Sequence, residues 1–114
     1  MRRGEVWRIN LDPTIGAEIR KTRPVIIVND DEIGILPLKV IVPITDWKNR
    51  YDETVWMTKI EPSDENGLSK TSAADAFQVR SVSKERFVKK LGSVSVENME
   101  EITESLALVL KIYV

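Results

Sequence analysis

Four charged side chains crowd the approach to an apolar run. Glu18, Arg20, Lys21 and Arg23 lead directly into Pro24 and the segment Val25-Ile26-Ile27-Val28. A second apolar run, Val40 to Ile44, delivers the hydroxyl of Thr45. Cations fixed at the start of one buried strand and a hydroxyl at the end of another suit a site that grips an anion. The chain has no His and no Cys, so its chemistry must rest on carboxylates, cations and hydroxyls. The absence of Cys also removes disulfides and thiolate zinc, and is compatible with a reducing cytosol.

The elements that must position these groups are short strands followed by one helix. Gly4 to Leu11 alternates, with Trp7, Ile9 and Leu11 on one face and Arg8 and Asn10 on the other, and predicts a half-buried strand. Asp12-Pro13 breaks it, and residues 13–23 form a long polar loop of the kind that often carries function. Pro24 to Asn29 reads as a central strand with Pro at its first position, where no ladder donor is lost. Further strands are expected over 39–44, 53–58, 71–75, 77–82 and 88–94, with turns at 30–37 and 63–70. Ser83 caps a single helical turn through Phe87. From Ser95, Met99, Ile102, Leu106 and Val109 fall at helical spacing behind an N-cap. The sum is a mostly antiparallel barrel or curled sheet with a C-terminal helix.

At 114 residues the chain is expected to be one domain, 1–114, with enough length for a core without metal or disulfide. MRRGEVW turns polar too soon for a signal peptide, and no apolar stretch approaches a bilayer crossing, so a soluble cytoplasmic protein without membrane contact is expected. The net charge is −1, but the charges are segregated, residues 1–24 carrying +3 and residues 69–90 carrying +4. Two basic segments in a near-neutral chain can form a local phosphate-binding face. The same charges, dispersed, would equally make a solvated rim.

The run DPTIGAEIRKTRPVIIVND, with VIVPIT after it and AFQVRSVSKERFVKKLG later, resembles the MazF/PemK (Kid) family of toxin–antitoxin ribonucleases. The resemblance spans the opening GEVW strand, the Gly-x-Glu…Arg-Pro loop, the strand ending in Thr, the Gln-x-Arg segment and the C-terminal helix. It implies a small SH3-like antiparallel β-barrel with a terminal helix, of the CcdB/PemK-like kind, usually a homodimer. It further implies metal-independent, sequence-specific cleavage of single-stranded RNA to 2′,3′-cyclic phosphate and 5′-hydroxyl ends. No cofactor is expected, and an acidic antitoxin is the expected protein partner. The family's functional Arg falls on Arg23, its strand-end Thr on Thr45 and its loop Glu on Glu18. Ala17 stands where many members have Ser, which removes one hydroxyl donor.

Within that resemblance each residue takes a role. Metal-free cleavage needs the 2′-OH deprotonated and the charge on pentacoordinate phosphorus stabilised. Without His, Glu18 is the natural proton acceptor. Arg23 can donate a bidentate pair to phosphate oxygens, and Thr45 one further bond. A base role for Arg23 is discounted because guanidinium stays protonated. Arg20, Lys21, Lys70 and Arg80 are candidate phosphate contacts, and Gln78 and Arg80 candidate readers of base edges. Trp47 is the stacking candidate, whereas Trp7 and Trp56 are expected in the core. A magnesium cluster at Asp30, Asp31 and Glu32 is rejected as an ordinary solvated turn. Taken singly, each residue has a plainer reading: Arg23 before an edge strand, Glu18 a loop carboxylate, Thr45 a turn residue, Gln78 and Arg80 the polar side of a strand. A CcdB-like toxin that inhibits a protein target such as DNA gyrase is the alternative function on the same fold.

Overall fold

A computed structural model describes residues 1–11, 22–34 and 36–112. Its strands are β1 (Glu5–Asn10), β2 (Thr22–Ile27), β3 (Leu38–Asp46), β4 (Met57–Ile60), β5 (Ser72–Asp75), β6 (Arg80–Ser83) and β7 (Phe87–Ser93), followed by helix α1 (Val96–Leu110). All pairings are antiparallel, in the order β4-β5-β3-β2-β1-β7, with β6 also pairing β3. The expected mostly-β architecture with a terminal helix is what forms. The path itself stays open: among the described residues β4 and β7 end it without pairing to each other.

The sheet nevertheless wraps its core. Ile60 of β4 and Leu91 of β7, from opposite ends of the path, pack on one apolar cluster with Val6, Ile26, Val42 and Ile44. Helix α1 covers this cluster with Met99, Ile102 and Leu106, the residues whose helical spacing predicted that face. A second cluster, Ile9, Val25, Ile27, Ile41 and Val82, lies beneath Trp7 and Phe87. β2 contributes to both, Ile26 to the first and Val25 and Ile27 to the second, which is why its apolar run is continuous and not alternating.

Local polar bonds decide the points where the strands differ from expectation. β2 begins at Thr22, so Arg23 lies inside the strand and Pro24 is not its first residue. Residues Asn49–Glu53 form a 3₁₀ turn, with Tyr51 N–H on Lys48 O at 2.8 Å and Thr54 N–H on Tyr51 O at 2.9 Å; the strand expected over 53–58 therefore starts at Met57. The Asp75 carboxylate accepts from Phe77 N–H, turning Ala76–Gln78 into another 3₁₀ turn and delaying β6 to Arg80. This turn separates β5 from β6 along one edge of β3. Pro43, with no N–H to give, sits in the resulting gap. Ser83 and Ser95 cap as expected, accepting from Glu85 N–H and Asn98 N–H.

Two tight approaches bind the turn after β4 to β7. A Cβ on Gly67, whose φ is +69°, would lie 2.1 Å from Leu91 O, and one on Gly92 would lie 2.1 Å from Glu65 O. Ser93 N–H donates to Glu65 O at 2.7 Å. The buried Asn66 side chain accepts from Ser63 and Leu68 N–H and donates to Glu61 O, fixing the turn internally. At the other side of β7, buried Glu5 accepts from the Trp7 indole at 2.8 Å and pairs with Lys90 at 3.1 Å. Burial works against its charge, but these bonds, a backbone bond at Arg2 and the amino terminus outweigh it and bring its pKa down to about 2.

Candidate functional site

A cleft of about 650 Å³ opens where β1, β2 and β3 meet the segment Gly67–Lys70. Its position follows from one register. The β2–β3 ladder ends at the Val25–Pro43 rung, and Arg23 and Thr45 lie two residues beyond it, each on its own strand. Both line the cleft, and both are half-buried. The Gly67 turn, held to β7 by the contacts above, forms the opposite wall, and Lys70 projects from its end.

The lining is strongly cationic for a chain of net charge −1. Arg8, Arg23, Lys48 and Lys70 face one carboxylate, Asp46. That carboxylate is taken: Lys70 Nζ lies 3.0 Å from Asp46 Oδ2, with both side chains largely exposed. An exposed pair of this kind contributes little stability, about 0–1 kcal/mol, and it ties the Lys70 wall to the end of β3. Trp47 N–H on Thr71 O at 3.1 Å adds a second tie. Arg23 makes no side-chain hydrogen bond or ion pair among the described residues. A half-buried guanidinium with free donors can hold two oxygens of a phosphate, and a hydroxyl in the same cleft can donate to a third.

The structure thus brings together Arg23, Thr45 and Lys70 from the sequence-derived set. Glu18, Arg20, Lys21 and Ala17 lie outside the described residues. The rung Asn10–Thr22 borders the cleft, since Thr22 is part of its lining. Gln78 and Arg80 are exposed but not brought to the cleft. Arg80 pairs with Ile41, four residues before Thr45 on β3, roughly 14 Å along the strand. The Gln78 amide donates to Asp75 Oδ2 at 2.7 Å.

The aromatics divide differently from expectation. Trp7 packs on the second cluster, edge-on to Phe87 at 5.7 Å. Trp56 is not core: it is 37% exposed and leans on Phe77, itself 65% exposed, at 5.6 Å. It precedes β4, which ends the sheet path, so no further strand covers it. Trp47 stands between the cleft residues Asp46 and Lys48 without lining the cleft. Its ring meets Tyr51 edge-on at 5.7 Å and carries Lys59 Nζ at 5.2 Å. The carboxylates at 30–32 are engaged locally, Asp30 by Glu32 N–H and Asp31 by Arg3 N–H. Sequence reading passed over Arg8 and Lys48. The signal for Arg8 was present in the alternation of β1, which puts it on the polar face.

Fold and cleft together define a small, mostly-β protein with a cationic cleft at a strand end. The chain belongs to the PemK-like, MazF-like toxin family of type II toxin–antitoxin systems, whose model matches residues 2–110. It is 33% identical over 112 residues to the endoribonuclease PemK of Escherichia coli, covering 96% of this chain and 82% of that one. It is 29% identical over 119 residues to the endoribonuclease MazF9 of Mycobacterium tuberculosis, covering 99% and 98%. Among solved structures it is similar to a mycobacterial endoribonuclease in complex with its cognate antitoxin, with a TM-score of 0.79 at 23% identity, covering 100% of this chain and 98% of that one. MazF from Deinococcus radiodurans gives a TM-score of 0.76 at 19% identity, covering 98% and 97%. At such identities these two structures speak for the fold. No described helix is long and apolar enough to cross a membrane.

Proposed function

We propose that this protein is the toxin of a toxin–antitoxin pair and acts as a metal-independent endoribonuclease on single-stranded RNA, cutting at short sequence motifs. The observation that carries the proposal is that Arg23 and Thr45 line one cationic cleft of a PemK/MazF-family chain. The endoribonuclease names of PemK and MazF9 support the reaction class. The cleft's one described carboxylate is neutralised by Lys70, which makes this lining suited to anions and poor for a divalent cation.

In the proposed reaction the ribose 2′-oxygen attacks the adjacent phosphorus and its proton passes to Glu18. The bond from phosphorus to the 5′-oxygen breaks, and that oxygen takes a proton from solvent water, while Glu18 returns its proton to solvent. The products are a 2′,3′-cyclic phosphate and a 5′-hydroxyl. Arg23 clamps two non-bridging oxygens as charge builds on them, and Thr45 donates one further bond. Lys70, Arg20 and Lys21 contribute positive potential. Arg80, Gln78 and Trp47 serve RNA that extends beyond the cleft.

The reading extends to the whole chain, 1–114, as one toxin domain acting in the cytoplasm as a homodimer, with an acidic antitoxin as its inhibitor. The antitoxin-bound mycobacterial structure supports a protein partner of that type. Incubating the purified protein with a long single-stranded RNA and mapping the ends tests the function. Discrete cuts bearing 2′,3′-cyclic phosphates are expected. Intact RNA together with inhibition of DNA gyrase would transfer the reading to the CcdB-like alternative.

A further inference from the structure

We propose that Arg8 is a second phosphate clamp, holding an RNA phosphate that flanks the one gripped by Arg23 and thereby positioning the strand. This rests on the reading of the cleft as an RNA-cleaving site.

Arg8 stands in mid-β1, exposed, and lines the cleft. On one side it pairs with Pro24, one rung from Ile9–Arg23, so Arg8 and Arg23 leave the sheet on opposite faces, and the cleft is where both residues meet solvent together. On the other side it pairs with Lys89 of β7. Like charges directly opposed across strands are destabilising. The next residue, Lys90, is offset by Glu5 at 3.1 Å, whereas no such offset reaches Arg8. Among the described residues Arg8 has neither an ion pair nor a side-chain hydrogen bond.

The β1–β7 register also shifts on both sides of the Trp7–Arg8 step, between Val6 and Trp7 and between Arg8 and Ile9. In both shifts the extra residue, Leu91 or Val88, belongs to β7, and such irregularities are enriched beside active sites. A guanidinium opposed by a cation at a cleft wall gains nothing from the fold alone. An anion in the cleft relieves the repulsion and takes up its donors. Successive phosphates of one strand are the anions that can meet Arg8 and Arg23 at the same time.

Arg23 faces the phosphorus whose charge changes, while Arg8 meets a phosphate that does not react. Arg8 is therefore a positioning residue, and its loss falls on binding. Steady-state cleavage of a short RNA at several salt concentrations should show Arg8→Ala raising KM about tenfold, far more than it lowers kcat. The slope of log binding against log salt should fall by about one, with melting unchanged. Arg8→Lys should restore most of the KM, since a non-reacting phosphate is satisfied by a point charge. Replacing single phosphates by neutral methylphosphonates should locate one flanking position whose loss adds nothing in Arg8→Ala.

A KM and salt slope equal to wild type in Arg8→Ala, or an equal penalty at every methylphosphonate position, would overturn the assignment while leaving cleavage by Arg23 intact. If the wild type cleaves no RNA at all, the underlying site reading has failed, and this inference fails with it.

Discussion

Arg23 and Thr45 each lie two residues beyond the Val25–Pro43 rung that ends the β2–β3 ladder, and both line the same cleft. Neither residue needs a loop to place it: both are held by strands whose neighbouring residues, Val25 and Ile44, are buried at 1% and 2% exposure. The cleft is rigid on that side because the core is.

Replacing Thr45 with Val should therefore test the hydroxyl alone. The strand position and volume are kept, so the melting temperature should stay close to wild type. Loss of one stabilising donor should lower the cleavage rate by about 10²–10³-fold, read under single-turnover conditions. A rate within twofold of wild type would leave Thr45 as a strand-end residue only.

The opposite wall depends on glycine. Gly67→Ala and Gly92→Ala each drive a methyl into backbone carbonyl oxygen, and Gly67 adds a left-handed φ. Each should destabilise by about 2–3 kcal/mol, measured by urea unfolding. Asn66→Ala should do likewise, since three hydrogen bonds of a buried amide are lost. All three variants should also weaken RNA binding, because Lys70 hangs from the same turn. Wild-type stability in both glycine variants would show that this turn yields easily.

Stability should depend on acid through Glu5. Its folded pKa of about 2 is below the usual 4.5, so between those values the unfolded chain binds more protons than the folded one. Stability is then fully present above about pH 4.5 and is lost as pH falls towards 2, by on the order of 3 kcal/mol. Glu5→Gln should flatten this window. Parallel pH profiles for wild type and variant would remove Glu5 from the account.

How far this was legible beforehand depends on the range of the signal. β2 was legible because burial on both faces demands the uninterrupted Val25–Val28 run, and Ser83 and Ser95 announced their caps by residue type. The turns at Asn49–Glu53 and Ala76–Gln78 were missed because they rest on single local bonds, such as Asp75 to Phe77 N–H, which leave no periodicity. Trp56 was misplaced because hydrophobicity does not reveal which strand ends a sheet. Arg8 and Lys48 were missed as site residues because the cleft arises from pairings between distant segments. Glu18, Arg20 and Lys21 lie outside the described residues.

Cleavage should persist in excess EDTA, and a 2′-deoxy substitution just 5′ of the cut should abolish it. The nucleophile in the proposed reaction is that hydroxyl, and no step needs a metal. Activity lost in chelator and restored by magnesium would require a different mechanism.

An acidic antitoxin segment should compete with RNA for the same cations. Inhibition should be relieved by raising RNA, should weaken at high salt, and should shield Arg23 and Lys70 from solvent. An antitoxin that protects cells while leaving RNase activity untouched at saturation would contradict a shared groove.

The most direct measurement is the single-turnover cleavage rate of Arg23→Ala on a mapped RNA, taken beside its circular dichroism and melting curve. Loss of about 10²–10³-fold in rate, a near-native melt, and little recovery in Arg23→Lys are the expected results, because a point charge cannot reproduce the planar fork. A folded Arg23→Ala that cuts the same sites at the wild-type rate would contradict the account.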